Sequence, residues 1–452
     1  MKLTLKNIGK VSEADINLPG VTVVAGPNGT GKSTISRALM VLKNLNRNLS
    51  MLVAYERVTS IIAGFKSAVS EARMQLVHVE EPAYDDLGAW GETLQKDFWR
   101  NAAVFSRWVS RYFMPYAQNE KTKDGLGILV IEGDDPKERI SGLFRILAPR
   151  AMEILQKDVV EYERHVCTKA LNTAFAEQWI PCGRVTSEGR IVLKNDSVVC
   201  GLEYMDGEVC RSTLPGSRDA ESWIYLEPYH MLDFVNDYAL SHIGDRYVAD
   251  GVCTLRLLGR KVPTENTLEQ ESALRKARQV LARVSKILGG HVHDNSEGKV
   301  SFLEQRNDGS VFDVSLLNIA SGMKTLSSIY RAIENGSFRE KGLLIIDEPE
   351  SNLHPEWQVA FAKVIVAIRQ EMNAQILVTT HSPYFMRALE VYMKLAGCQD
   401  QFEAYLMNPV AGNAGCGGMV AERVTDSVED IYRQMYRPLE QIKTGDESEQ
   451  TD

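Results

Sequence analysis

The chain is 452 residues long, enough to bury a large core and to divide into two or three lobes. Its 44% apolar and 25% charged residues are ordinary for a globular protein, no stretch approaches the length needed to cross a bilayer, and no signal peptide is read before the first strand. A formal net charge of −9 excludes a surface that attracts nucleic acid as a whole, and seven scattered cysteines with no C-x-x-C pair argue against zinc and for a reducing cytoplasm.

Residues 1–40 are expected to supply two strands, a loop and a helix. Val21 to Ala25 reads as a buried strand, and the helix begins near Ser33. Between them, Gly26-Pro27-Asn28-Gly29-Thr30-Gly31-Lys32-Ser33 fits the phosphate-binding pattern G-x-x-x-x-G-K-[ST]. Glycines at these positions let successive backbone N–H groups turn inward on phosphate oxygens at a helix N-terminus. The candidate nucleotide-binding set is therefore Asn28, Gly29, Thr30, Gly31, Lys32, Ser33 and Thr34. Lys32 would reach the β- and γ-phosphates of ATP, and the Ser33 hydroxyl would hold Mg2+.

From 41 to 178 the pattern turns helical, with apolar residues at three- and four-residue spacing such as Leu143, Ile146 and Leu147, then Met152, Ile154 and Leu155. No long heptad run is present, so a compact helical insertion is expected, either a partner surface or plain core packing. Residues 179–232 return to strand-like alternation, in Arg190–Asp196, Val198–Tyr204 and Trp223–Pro228, and are expected to form an antiparallel part of the sheet. A second helical insertion spans 233–297, with a long helix from Thr267 to Leu288. Arg275, Lys276, Arg278, Arg283 and Lys286 cluster on it and offer a local basic face for DNA, or equally a solvated one. His291-Val292-His293-Asp294 is read as a polar turn rather than a metal site, since no further ligand is evident.

Residues 298–443 hold the second half of the site. Strands near 299–304 and 311–316 lead into Leu317–Leu326, where small residues precede an apolar helix. Ser321, Gly322 and Lys324 there are candidates to contact a phosphate held by another subunit, through exposed helix N–H groups. Leu343 to Ile346 reads as a buried strand ending in Asp347 and Glu348. Asp347 is placed to bind Mg2+ at the ligand crevice of a parallel sheet, and Glu348 to orient or deprotonate the attacking water. Gln375–Thr380 reads as a further strand ending in His381, a candidate contact to the γ-phosphate. The acidic tail 444–452 is expected to be disordered.

These motifs, in this order, resemble the ABC-type ATPases of the RecF, SMC and OLD superfamily, within the AAA ATPases. Residues 1–40 and roughly 300–440 carry the resemblance, and Glu348-Pro349-Glu350-Ser351-Asn352-Leu353-His354-Pro355 looks like the E-P-E-x-x-L-H-P run of its soluble branch. The resemblance implies an α/β fold: an ABC-type ATPase head with a mixed sheet, an antiparallel β lobe and two helical insertions. It implies a metal-sensing glutamine near the junction, for which Gln178 is the nearest candidate. It also implies a homodimer or higher even assembly that shares ATP sites. One departure stands at Ala320-Ser321-Gly322-Met323-Lys324, where the family reads L-S-G-G-Q or L-S-x-G-x.

The segment after His381 is shorter than a TOPRIM nuclease domain needs, and no H-N-H signature is found. An ATPase that depends on a separate effector is therefore expected. Met419–Asp426, Val428–Tyr432 and Arg437-Pro438-Leu439 resemble the ending of anti-phage ATPases, Septu above all, then PARIS and retron-associated ones. That resemblance implies an HNH-type nuclease partner and DNA contact through the complex. A RecF- or SMC-like DNA clamp and a transporter motor are the alternatives.

Overall fold

The computed structural model describes residues 1–75, 159–180, 188–195, 198–216, 222–227, 233, 235, 254, 257–262, 268–306, 308–410, 418–425, 428–429 and 431–436. The apolar residues 143–155, the tail 444–452 and much of the second insertion lie outside them. Residues 1–47 with 167–452 form one compact unit, and 48–166 another. In the second unit the described residues are helical, and His165 lies 3.5 Å from Glu56. Among the described residues no helix is long and apolar enough to cross a membrane.

The first unit is built on an 11-stranded sheet. Strands β1 (Lys2–Ile8) and β2 (Val11–Asn17) form an antiparallel hairpin, closed by Gly9 at φ +52. β4 (Gly189–Asn195), β5 (Val198–Met205) and β6 (Glu208–Thr213) extend it beyond β1, all antiparallel. On the other side of β2 lie β14 (Met419–Arg423) and β13 (Phe402–Pro409). Then come four parallel neighbours: β3 (Val21–Ala25), β12 (Gln375–Thr380), β11 (Leu343–Asp347) and β7 (Trp223–Leu226). The fold is mixed α/β, as expected.

Trp223–Leu226 differs from expectation: it pairs in parallel with β11 instead of joining the antiparallel strands. All four of its residues are buried, the mark of a parallel strand covered on both faces. Helices α1 (Lys32–Gln75) and α2 (Val159–Ala174) are followed by α3 (Leu268–Leu288), α4 (Ser321–Glu334), α5 (Pro355–Met372) and α6 (Pro383–Leu395). Residues of α3 to α6 share one core with Val21, Val23, Leu344, Ile346, Ile376 and Val378. Because side chains alternate along a strand, these form one face of the parallel strands. The residues between them are buried too, so both faces are covered.

A separate antiparallel sheet runs β10 (Val311–Val314), β9 (Val300–Gln305), β8 (Gly290–Asp294). His291–Asp294 is thus a strand, not a turn, with Val292 in the core. A side chain at Gly290 would stand 2.2 Å from the Leu303 carbonyl oxygen, so only glycine admits the pairing. Asp294 accepts from Arg331 at 2.7 Å, and His293 lies 3.1 Å from Ser301 and 3.4 Å from Asp313. No cluster of three His, Cys, Asp or Glu suited to a metal is found among the described residues.

Candidate active site

Three parallel strands end side by side, and each delivers part of the site. β3 runs into the glycine loop, where Gly26, Gly29 and Gly31 have φ of +156, +76 and +89. The last two values lie where residues with a side chain are strained, and a side chain at Gly31 would also press on Val11 at 3.2 Å. Asn28 and Gly29 are exposed, Thr30 and Gly31 partly so. Lys10, from the β1–β2 turn, donates to the Gly29 carbonyl at 2.9 Å and straps the loop. Lys32 is buried; its ammonium donates to the Pro27 carbonyl at 2.8 Å and lies 3.8 Å from Glu348 Oε1. Thr34 sits in the first turn of α1, where its side chain packs beside Gly9.

β11 delivers the acidic turn. Asp347 is buried and hydrogen-bonded to the hydroxyls of Thr379 and Ser33. Glu348 follows at φ +46, its N–H donating to the Thr379 carbonyl at 3.1 Å. Each later residue of the run has a structural task. Glu350 is buried and accepts from the Thr380 hydroxyl, the His381 N–H and the Ser382 N–H. Asn352 takes a left-handed conformation, and Leu353 packs on Gly322. His354 caps α5 and Pro355 starts it.

β12 delivers His381, whose Nδ1 lies 3.5 Å from Glu348 Oε1 and 3.3 Å from Glu350 Oε1. The Glu350 approach acts through charge, whereas the Glu348 approach, though off ideal hydrogen-bond alignment, is the strongest influence on both groups. The His381 imidazole alongside holds the Glu348 carboxyl below its usual range, with help from Lys32 and against burial. Glu348 in turn pushes His381 up. Burial raises Asp347 and Glu350 and lowers Lys32. Glu348 is thus the carboxylate of this group most firmly kept ionised.

The site is short of positive charge. Asp347, Glu348 and Glu350 all act on the single buried ammonium of Lys32. A hard divalent cation fits at the Ser33 hydroxyl and the Asp347 carboxylate, since magnesium takes one or two carboxylates and fills its other positions from phosphate and water.

The remaining expected residues are placed differently. Gln178 is exposed in the turn after α2, with its backbone carbonyl beside Gly9. The residue at the end of β7, next to Asp347, is Glu227: it is buried, raised by burial, and lies 3.7 Å from Arg37 of α1. Its signal in the sequence is the apolar run Trp223–Leu226 ending in a carboxylate. Ser321 opens α4 after Ala320, which supplies no side-chain cap. Gly322 is buried, and a side chain there would stand 2.4 Å from Leu353 and 3.1 Å from the Asn352 carbonyl oxygen. Lys324 is buried and donates to Asp233 at 2.8 Å, so its charge is committed within the chain and not offered to a second subunit.

Comparison with known proteins bears on both halves of this crevice. Residues 234–387 match the family described as "AAA domain, putative AbiEii toxin, Type IV TA system", and residues 2–42 one described as "AAA domain". A Septu protein PtuA of Bacillus thuringiensis is 32% identical over 104 residues, which span 22% of this chain and 26% of that relative. Among solved structures, the SMC head domain from Thermotoga maritima is similar at a TM-score of 0.35 and 11% identity, covering 94% of this chain and 98% of that one. An Smc head from Pyrococcus furiosus with an extended coiled coil, bound to the C-terminal domain of ScpA, reaches 0.38 at 12% identity, with 98% of each chain covered. An ATP-binding cassette of an ABC transporter in its ADP conformation reaches 0.34 at 12% identity, over 99% and 100% of the two chains. The sheet order and strand ends, rather than scores of this size, carry the fold. The chain carries AAA-domain sequence in both segments that build the phosphate-binding crevice.

Proposed function

We propose that the chain binds ATP with magnesium, hydrolyses it between two copies of itself, and through that cycle controls a separate nuclease effector in anti-phage defence. The observation that carries the first part is the convergence of Lys32, Ser33, Asp347, Glu348 and His381 at three adjacent strand ends. The backbone N–H groups from Asn28 to Thr34 cradle the phosphates. Lys32 exchanges the Pro27 carbonyl and Glu348 for phosphate oxygens. Ser33 and Asp347 would hold a magnesium ion, which would supply positive charge to offset that of the phosphates. Glu348, ionised and freed from Lys32, orients and deprotonates water, while His381 contacts the γ-phosphate. The N-terminus of α4 at Ser321 of a second copy, where Ala320 supplies no side-chain cap, closes the site.

The defence role is supported by the short PtuA match and the AAA-domain match to a toxin–antitoxin family. A nuclease partner and cytoplasmic work belong to the same reading. Lys32→Ala tests its base. Because the Lys32 ammonium lies buried at the glycine loop, bonded to the Pro27 carbonyl, affinity for ATP, measured by calorimetry, should fall at least about tenfold in this variant, the equivalent of roughly 1.4 kcal/mol. Unchanged affinity would remove the nucleotide site.

A further inference from the structure

Glu350 carries none of the catalytic roles above, yet its side chain is buried at the crevice, only 2% exposed. Its Oε1 accepts from the Thr380 hydroxyl at 2.6 Å, the His381 N–H at 2.7 Å and the Ser382 N–H at 3.2 Å, and lies 3.3 Å from the His381 ring Nδ1. Its Oε2 is buried with no hydrogen-bond partner. One oxygen of the acidic turn thus gathers the whole turn after β12.

His381 has a second carboxylate at the same nitrogen, Glu348 at 3.5 Å, and Glu348 is also 3.8 Å from Lys32. A carboxylate that takes a proton from the attacking water must leave both. Held by Glu348 alone, the ring would lose its orientation at the moment it is needed. Glu350 is two residues on, is held by three hydrogen bonds to its Oε1, and among the described residues has no Lys or Arg within ion-pair distance.

We propose that Glu350 is a positioning residue: it keeps the His381 turn and ring in place, Nδ1 inward, while Glu348 is released to act. This rests on the hydrolysis reading. Fixing one imidazole nitrogen decides which partner the other can take, so Nε2 is left for the phosphate side.

Glu350→Gln keeps the shape and an accepting oxygen and removes the charge. Combined with His381→Ala it gives a double-mutant cycle in kcat and in ATP dissociation constant. Glu350→Gln alone should lower kcat about tenfold with the dissociation constant within about twofold, and should add no further loss to His381→Ala. Equal losses in both backgrounds, or no loss at all, would overturn the proposal. A second readout needs no turnover. In 15N-histidine-labelled protein without nucleotide, the His381 ring signals, assigned by their loss in His381→Ala, should move in Glu350→Gln while those of His291 and His293 stay. An unmoved ring also overturns it. Absent wild-type hydrolysis counts against the hydrolysis reading, and the ring signals still decide the positioning. Should Glu350→Gln not fold, Glu350→Asp withdraws the carboxylate by one methylene and must show the same two effects.

Discussion

Glu348 pairs a strained backbone with a charge held from two sides. Its φ of +46 is costly for a residue with a side chain, of order 1–3 kcal/mol. The hydrogen bonds from Glu348 N–H to Thr379 and from Ser351 N–H to the Glu348 carbonyl, each 3.1 Å, hold it there. The His381 pair makes a pH prediction for the nucleotide-free protein. His381 is raised above its ordinary 6.5, so its contribution is complete below that pH and is lost as pH climbs through the raised value. Glu348 is lowered from 4.5, so its contribution is complete above 4.5 and is lost as pH falls through the lowered value. The difference in melting temperature between wild type and His381→Ala should therefore be largest between those ordinary values and shrink above 6.5. A difference that stays constant to alkaline pH would show that the pair contributes nothing. At this scale the local motifs were legible: Lys32, Ser33, Asp347 and Glu348 lie in short runs whose chemistry depends on neighbours in sequence. Glu350 was not, because its partners come from the next strand, about thirty residues on. Gln178 stands exposed after α2, and the carboxylate at the end of β7 beside Asp347 is Glu227, which local motifs did not single out.

Among the elements, α4 differs most from its sequence reading. The small residues at its start looked suited to a neighbour's phosphate, but Gly322 is needed first by its own chain, against Leu353 and Asn352. Alanine in place of a helical glycine is worth roughly 0.8–1 kcal/mol in propensity, less so in a first turn. Overpacking costs roughly 1–3 kcal/mol, and the clash includes a backbone oxygen that cannot rotate away, so packing wins. Gly322→Ala should lower stability by about 1 kcal/mol or more in denaturant unfolding. A gain would mean that the Asn352–Leu353 turn yields. An aspartate there would confound a test of subunit closure, so Ser321 is the position at which to make one. The buried strands β3, β11 and β12 were readable as continuous apolar runs next to motifs. β7 was of the same kind but stood beside alternating strands, which hid its parallel pairing.

For the whole molecule, the proposed function requires that two copies complete each other's ATP site. Lys32, Ser33, Asp347 and Glu348 stand at one end of the strands, and Ala320 supplies no side-chain cap at the N-terminus of α4. The basic residues of α3 make a weaker case for DNA than their number suggests: Lys276 pairs with Glu340 at 2.8 Å and Arg283 lies 3.7 Å from Glu371. With a net charge of −9, nucleotide rather than nucleic acid is the expected glue between copies. Light scattering on Glu348→Gln should give twice the chain mass, or a higher even multiple, with ATP and magnesium, and a smaller species without. A mass independent of nucleotide would separate assembly from the ATP site. Neither the insertions nor the effector follows from local motifs, since a surface announces its partner only through shape built from distant segments.

Glu348 is proposed to activate water at a bound ATP, and steady-state hydrolysis by Glu348→Gln, with ATP affinity measured on the same preparation, decides whether it does. Affinity should stay within about twofold while turnover falls by about 10²-fold or more, the range expected for loss of a general base. Turnover equal to wild type at equal affinity would contradict the account and move the base elsewhere in the crevice.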